Sequence, residues 1–313
     1  MSNAPSKRFQ RAIARYSLRT ASWLLQWLPP SAVTGLTNFL VAVGYGLVGR
    51  QKKIARESLK IAFGDSKTDE EIAQIVRQCF HNLGRGMVEM LYYLSHPNKV
   101  EQFVHFEGQE HLDNALKQGK GVVAITAHFG NFPLMMLYCA LKGYPSNSII
   151  RPTRDQKLEK YLFRKRKESG LNTVYAVPRK ECVSQSLKVL RNNEVLFIPM
   201  DQNFGSAGGV FVDFFGQKAA TATGPVVFAK RTGALIVPMF IVRDGDSNRH
   251  KVIIEKPITL VEKETEDQTL SYNIGVITHL IEQYIRQYPH EWGWMHRRWK
   301  SKPSSPDAKR TGV

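Results

Sequence analysis

After Pro97 the chain repeats one pattern, in which short apolar runs rich in β-branched residues alternate with segments of helical spacing. The runs are 121–127, 147–151, 172–177, 194–199, 235–243 and 250–255, and the helical segments are 109–118, 132–142, 155–169, 181–192 and 222–232. Such alternation predicts an α/β fold with a mostly parallel central sheet flanked by helices. A last helix is expected over 267–287, ahead of a tryptophan-rich ending. Open sheets of this kind bind their ligands beyond the carboxyl ends of the strands. The residue that follows each apolar run is therefore the place to look for chemistry.

The stretch GVVAITAHFGNFP at 121–133 is the sharpest case. Its apolar run stops at His128, a Gly130-Asn131 turn follows, and Pro133 suits the first turn of the next helix. A histidine so placed is either a general base near neutral pH or a hydrogen-bonded strand-end residue. A second run, Val195–Ile198, leads into Asp201, Gln202 and Asn203. Asp201 either caps a turn or holds the imidazole of His128 from a neighbouring strand end. A third run ends at Arg151, with Arg154 behind it and Arg164, Lys165, Arg166 and Lys167 late in the following helix. Basic residues at a helix C-terminus meet the dipole favourably, so part of that cluster needs no function. His128, Arg151 and Asp201, at three strand ends, are expected to converge on one crevice.

Several chemistries are missing. There is no GxSxG elbow or P-loop, and Gly205, Gly208 and Gly209 read as a flexible loop. Cys79, Cys139 and Cys182 are scattered, which suggests a reducing compartment and no metal site. A histidine base without a protein nucleophile suits direct attack by a bound hydroxyl on an activated acyl group. Arg151 or backbone N–H groups would then stabilise the oxyanion.

The net charge of +17, from 44 Lys+Arg against 27 Asp+Glu, calls for a polyanionic partner. The N-terminus separates the candidates. No charged residue occurs from Thr20 to Gly49, whereas Arg11, Arg15 and Arg19 precede this stretch and Arg50, Lys52, Lys53 and Arg56 follow it. Ser31–Gly49 is expected either to span a bilayer or to lie at its interface, with Trp23 and Trp27 at headgroup depth. An anionic membrane surface is thus the expected partner, and nucleic acid is not. The organisation read from these features is a basic, membrane-anchoring segment at 1–49, a helical region at 50–100, an α/β domain at 101–300 and a disordered tail at 301–313. Within 50–95, Thr68 followed by Glu71 has the spacing of a capping box.

With these residues in view, the chain resembles the lipid A biosynthesis late acyltransferases of the lysophospholipid acyltransferase-like superfamily. The likeness is carried by IARESLKIAFG at 54–64, AHFGN at 127–131, RP at 151–152 and PMDQNFG at 199–205. GVFVDFFGQKAATATGPVVFAKRTGALIVP at 209–238 and PHEWGWMHRRWK at 289–300 complete it. The resemblance implies transfer of a fatty acyl group from an acyl-carrier-protein (or coenzyme A) thioester to a hydroxyl of a glycolipid. It places the enzyme at the inner membrane with its catalytic domain on the cytoplasmic side, and needs no cofactor besides the thioester co-substrate. His128 and Asp201 are the expected catalytic pair. Asn131, Arg151, Arg164, Arg166 and Gln202 are expected to bind substrate. Phe214-Phe215-Gly216 either serves packing and a turn or, through Phe215 and Gly216, walls the acyl chain. Trp292, Trp294 and Trp299 either dock the last helix or sit at headgroup depth. One departure stands out, because the family motif has an aspartate or glutamate where this chain has Pro133. Either Asp201 replaces that acid, or activity is weakened or lost and the protein is a non-catalytic lipid-binding relative. A glycerophospholipid or another glycolipid is the alternative acceptor.

Overall fold

The computed structural model describes residues 30–205 and 209–303, together with Tyr16, Thr20, Trp23 and Trp27. Three helices lead the described chain: α1 (Pro30–Leu47), α2 (Gly49–Phe63) and α3 (Asp69–Ser95). Thr68 caps α3 by accepting from Glu71 N, while the Glu71 carboxylate accepts from Thr68 N, as the capping-box spacing predicts. α1 packs on α3 at Gly84, where an added Cβ would collide with the Val41 side chain. No helix among the described residues is long and apolar enough to cross a membrane. The bilayer-spanning expectation for Ser31–Gly49 is therefore corrected. α1 has 18 residues, roughly 27 Å of rise, and carries Thr34, Thr37 and Asn38 within it.

The α/β part runs β1 (Val104–Glu107), α4 (Gln109–Lys117), β2 (Val122–Thr126), α5 (Phe132–Leu141), β3 (Ser146–Ile150), α6 (Gln156–Glu168), β4 (Asn172–Tyr175), α7 (Arg179–Arg191) and β5 (Val195–Pro199). It continues with β6 (Gly209–Phe214), β7 (Gln217–Ala222), α8 (Gly224–Thr232), β8 (Leu235–Arg243), β9 (His250–Ile254) and α9 (Glu266–Gln287). Seven strands form one sheet in the order β1-β9-β8-β2-β5-β3-β4. Pairing is parallel throughout except between β8 and β9. All six expected strands are present within a residue or two of their predicted bounds.

β2 lies near the middle of the sheet and is buried along its whole length. Its alternate residues enter two separate cores, Val123 and Ile125 on one face and Val122 and Ala124 on the other. The first core is closed by α9 through Ile274, Ile277, Ile281 and Ile285, a helical stripe, and the second by α5.

Three strands escaped the sequence reading. β1 is a four-residue edge strand, too short for a period to register. β6 and β7 form an antiparallel hairpin, so Gly209 opens a strand paired with Ala222 rather than belonging to a flexible loop. A Cβ at Gly209 would meet Thr221 O at 2.6 Å, which explains the glycine. Gly208 lies outside the described residues. So does the tail from 304 onward, but Ser301 is tied to Asn203 by two hydrogen bonds, 3.1 and 3.2 Å, and closes the α/β part.

Candidate active site

β2 and β5 are parallel neighbours, with Thr126 opposite Pro199, and Met200 N donates to Thr126 O at 2.9 Å to carry the ladder one step further. The two chains then leave the sheet side by side, which brings His128 and Asp201 together. Asp201 Oδ1 accepts from His128 Nδ1 at 2.8 Å and from His128 N at 2.9 Å, and Oδ2 accepts from Trp292 Nε1 at 2.7 Å. The carboxylate is 1% exposed yet fully hydrogen-bonded, as a buried charge must be. Burial raises its pKa, but the His128 charge and the hydrogen bonds from His128 and Trp292 outweigh that and hold it well below the usual carboxylate range. Burial pushes the His128 imidazole down, and the Asp201 charge and hydrogen bond more than reverse this, leaving its pKa raised. An ionised Asp201 accepting at Nδ1 leaves Nε2 as the basic nitrogen of the neutral ring.

His128 lines a cavity of about 270 Å³ whose wall also includes Asn82, Leu83, Phe132, Met295 and His296. The Phe132 ring meets the imidazole edge-on at 4.9 Å between centroids. The floor is built by the C-terminal segment. Phe129 pairs with Trp292 in an antiparallel bridge, Gly293 N donates to His128 O at 3.3 Å, and Gly130 N donates to Glu291 O at 2.8 Å. Gly130 turns with φ +55°, and a Cβ there would collide with Ile241 O, so only glycine lets the chain pass from β2 to α5.

Pro133 sits in the first turn of α5 and offers no side-chain polar atom, so the carboxylate that meets His128 is Asp201. The other expected site residues separate. Asn131 is buried and structural in its contacts. Its Oδ1 caps α5 by accepting from Leu134 N at 3.4 Å, and its Nδ2 donates to Gly86 O and Glu89 Oε2 at 3.3 and 3.2 Å. Glu89 also binds Arg243 bidentately at 2.7 and 2.9 Å. Burial raises the Glu89 pKa, and hydrogen bonds from His250 and Arg243 drive it well below the usual range. Gln202 is exposed and its amide contacts His296 Nε2 at 3.2 Å.

Arg151 follows β3 on the same edge of the sheet but is separated from β2 by β5, and it is exposed, with no ion-pair or hydrogen-bond partner among the described residues. The expected three-way convergence thus reduces to His128 and Asp201. Arg164 is exposed and reaches Glu168 at 3.6 Å. Arg166 is half-buried and committed to Glu159 at 2.6 Å, a carboxylate that also accepts from Tyr175 at 3.2 Å. The Tyr175 contact ties α6 to β4 through Glu159, and the ion pair leaves Arg166 little freedom to hold a substrate.

Phe215 and Gly216 follow the packing-and-turn reading, and the acyl-wall reading is corrected. They are the two turn residues of the β6–β7 hairpin, with φ +52° and +70°, the backbone of a type I′ turn. The Phe215 ring packs on Phe63, Trp294 and Trp299, its N donates to Glu282 at 2.6 Å, and neither residue lines the His128 cavity. The headgroup reading of the tryptophans is also corrected, since Trp292 and Trp294 are 0% exposed and Trp299 is 6% exposed. Trp292 is the Asp201 partner that the sequence reading missed. An indole N–H aimed at Asp201 leaves no trace in a pattern of apolar spacing. Trp292→Phe removes that donor and is expected to cost about 1.5–3 kcal/mol of stability, the range for a hydrogen bond to a charged group. A less anchored Asp201 raises the His128 pKa less, so the acid limb of the pH–rate profile should also move downward. Urea melts and a pH series check both.

A mostly parallel sheet with a histidine–carboxylate pair at the carboxyl ends of adjacent strands has the form of a general-base site. The Cys79 thiol, which also lines the cavity, donates to Trp292 O at 2.9 Å and is pushed up to about 12 by burial, so it stays protonated. Comparison with known proteins supplies the particular. The model of the bacterial lipid A biosynthesis acyltransferase family matches residues 5–301, and the chain belongs to that family. It is 25% identical over 286 residues to the lipid A biosynthesis palmitoleoyltransferase of Escherichia coli K12, covering 90% of this chain and 89% of that one. The lauroyltransferase of the same organism is 23% identical over 283 residues, with the same coverages of 90% and 89%. A phosphatidylinositol mannoside acyltransferase of Mycobacterium tuberculosis is 24% identical over 61% of this chain and 58% of its own. Among solved structures, the 1-acyl-sn-glycerophosphate acyltransferase PlsC from Thermotoga maritima aligns at 13% identity with a TM-score of 0.36, covering 79% of this chain and 97% of that one.

Proposed function

We propose that this protein transfers a fatty acyl group from an acyl-carrier-protein thioester to a hydroxyl of a lipid A-type glycolipid, at the cytoplasmic face of the inner membrane. The observation that carries the reading is the 2.8 Å contact between His128 Nδ1 and Asp201, which leaves Nε2 to take the acceptor's proton. As that proton moves to Nε2, the hydroxyl oxygen attacks the thioester carbonyl carbon. Collapse of the tetrahedral intermediate breaks the C–S bond, and the imidazolium returns its proton to the departing sulfur. The same contact argues against the non-catalytic alternative, because the acid missing at Pro133 is supplied by another strand.

An apolar groove of about 430 Å³, lined by Leu40, Val41, Tyr45, Phe80 and Met87, meets the His128 cavity at Leu83 and Met295. A fatty acyl chain laid in this groove would present its carboxyl end to His128. The groove borders the side of α1 on which Leu36, Phe39, Leu40, Val43 and Leu47 are exposed, and Trp23 and Trp27 are exposed before it. An apolar helix face followed by Arg50, Lys52, Lys53 and Arg56 fits an interfacial seat on an anionic bilayer. The exposed Arg151 and Arg164 remain available to anionic groups of either substrate.

The test is transfer of label from acyl carrier protein to a lipid A precursor by the full-length protein, with acyl-coenzyme A as alternative donor and a glycerophospholipid or phosphatidylinositol mannoside as alternative acceptor. Transfer to the lipid A precursor supports the proposal, and transfer only to another acceptor replaces that substrate. Absence of transfer to any of them removes the enzymatic reading. The full-length protein is further expected to sediment with membranes and to resist a salt wash. Recovery as monodisperse protein without detergent would overturn the interfacial seat.

A further inference from the structure

The cavity that holds His128 holds a second imidazole. The His296 ring lies 5.4 Å from that of His128, centroid to centroid, and lines the same wall. It is placed by its own turn, in which His296 N donates to Gly293 O at 3.1 Å. Gly293 leaves room for the ring, since a Cβ there would press on Cδ2 at 3.1 Å and Nε2 at 3.3 Å. The Gln202 amide nitrogen faces Nε2 at 3.2 Å, so Nε2 accepts and the ring proton of the neutral form sits on Nδ1. Among the described residues no protein group pairs with Nδ1, and it is not among the buried atoms lacking a partner.

We infer that His296 is a catalytic residue of the transfer, donating a hydrogen bond from Nδ1 to the thioester carbonyl oxygen as that oxygen takes up negative charge. The inference rests on the acyl-transfer reading above. The two rings divide the work. His128 receives the hydroxyl proton on Nε2 while the new C–O bond forms, and the carbonyl π electrons move onto the oxygen that His296 faces. When the C–S bond breaks, those electrons return to the carbonyl and the His128 proton goes to sulfur, so His296 ends as it began. A neutral imidazole holds its proton more firmly than an imidazolium, and the surroundings favour the neutral ring. Burial and the nearby His128 lower the His296 pKa, against a smaller opposing effect of Asp201. A neutral imidazole that polarises a carbonyl beside a carboxylate-oriented base is sound chemistry. The role also explains why Gln202, exposed and just past Asp201, carries an amide directed at a ring rather than at solvent.

The experiment is steady-state kinetics of His296→Ala and His296→Gln in the full-length protein, beside His128→Ala, with each variant's melting temperature recorded. His296→Ala should lower kcat about 10²–10³-fold, the usual loss for one oxyanion donor, with KM for the thioester little changed. His296→Gln, whose amide N–H can donate, should recover part of that loss, which a purely packing role would not produce. Nitrogen-15 NMR of the wild-type histidines is the second measurement and does not depend on a variant folding. It should show His296 neutral and protonated on Nδ1 near pH 7. A wild-type kcat in His296→Ala, with His128→Ala inactive, overturns the assignment of His296 alone. So does an Nε2-protonated or cationic His296 in the spectrum. A wild-type protein that transfers no acyl group overturns the reading beneath it instead.

Discussion

His128→Ala should abolish acyl transfer to the level left by binding and orientation alone, a loss of at least about 10²–10⁴-fold, the share that general-base catalysis contributes. The fold should survive. Asp201 keeps two donors when the imidazole is gone, His128 N and Trp292 Nε1, so its charge is not stranded in the interior. The loss of one charge-assisted hydrogen bond should cost about 1.5–3 kcal/mol. Label-transfer kinetics and a thermal melt separate the two effects. An alanine variant that melts like wild type and still turns over within a few-fold of it would remove His128 from the chemistry.

Asp201→Asn should lose a comparable factor for a different reason. The charge that selects the Nδ1–H tautomer disappears while the shape remains, and in serine proteases the same substitution behind the catalytic histidine costs about 10⁴-fold in kcat. The pH profile should report the cause. In wild type the His128 pKa is raised by Asp201, so activity should fall on the acid side through a midpoint above about 6.5. In Asp201→Asn the raising influence is gone and burial remains, so the midpoint should drop below that value. Stability follows the same pair with opposite signs. The raised His128 stabilises fully below its unfolded pKa of about 6.5 and loses this as pH rises through its folded value. The depressed Asp201 stabilises above its unfolded value of about 3.9 and loses this as pH falls toward its folded one. The stability gap between wild type and Asp201→Asn should accordingly be widest between roughly pH 4 and 6.5. A gap independent of pH, with an unmoved acid limb, would mean that Asp201 only caps a turn.

The sequence alone determined the architecture, because strand and helix periods are local properties that survive without knowledge of neighbours. Six apolar runs alternating with helical segments led to a mostly parallel sheet, and its parallel strands deliver their carboxyl ends to one edge. His128 and Asp201 were legible for that reason, each being the polar residue on which a fully apolar run stops. Which strand lies next to which is not a local property. The order β2-β5-β3 put Asp201 against His128 and kept Arg151 one strand further off. It also took tertiary packing to spend Arg166 on Glu159 and Asn131 on the α5 cap and Glu89, side chains whose type suits substrate binding equally well. The sequence left Phe215-Gly216 open between a packed turn and an acyl wall. A phenylalanine seldom takes a left-handed backbone, and here the Glu282 carboxylate and aromatic neighbours hold it in the turn. The C-terminal segment shows the division most clearly. Its tryptophans, arginines and histidine read equally well as a membrane seat or a packed end. Only the antiparallel pairing of Trp292 with Phe129 turned one indole toward Asp201 and one imidazole toward the cavity. Contacts between residues more than 150 positions apart in the chain have no period, and they are decided by the fold.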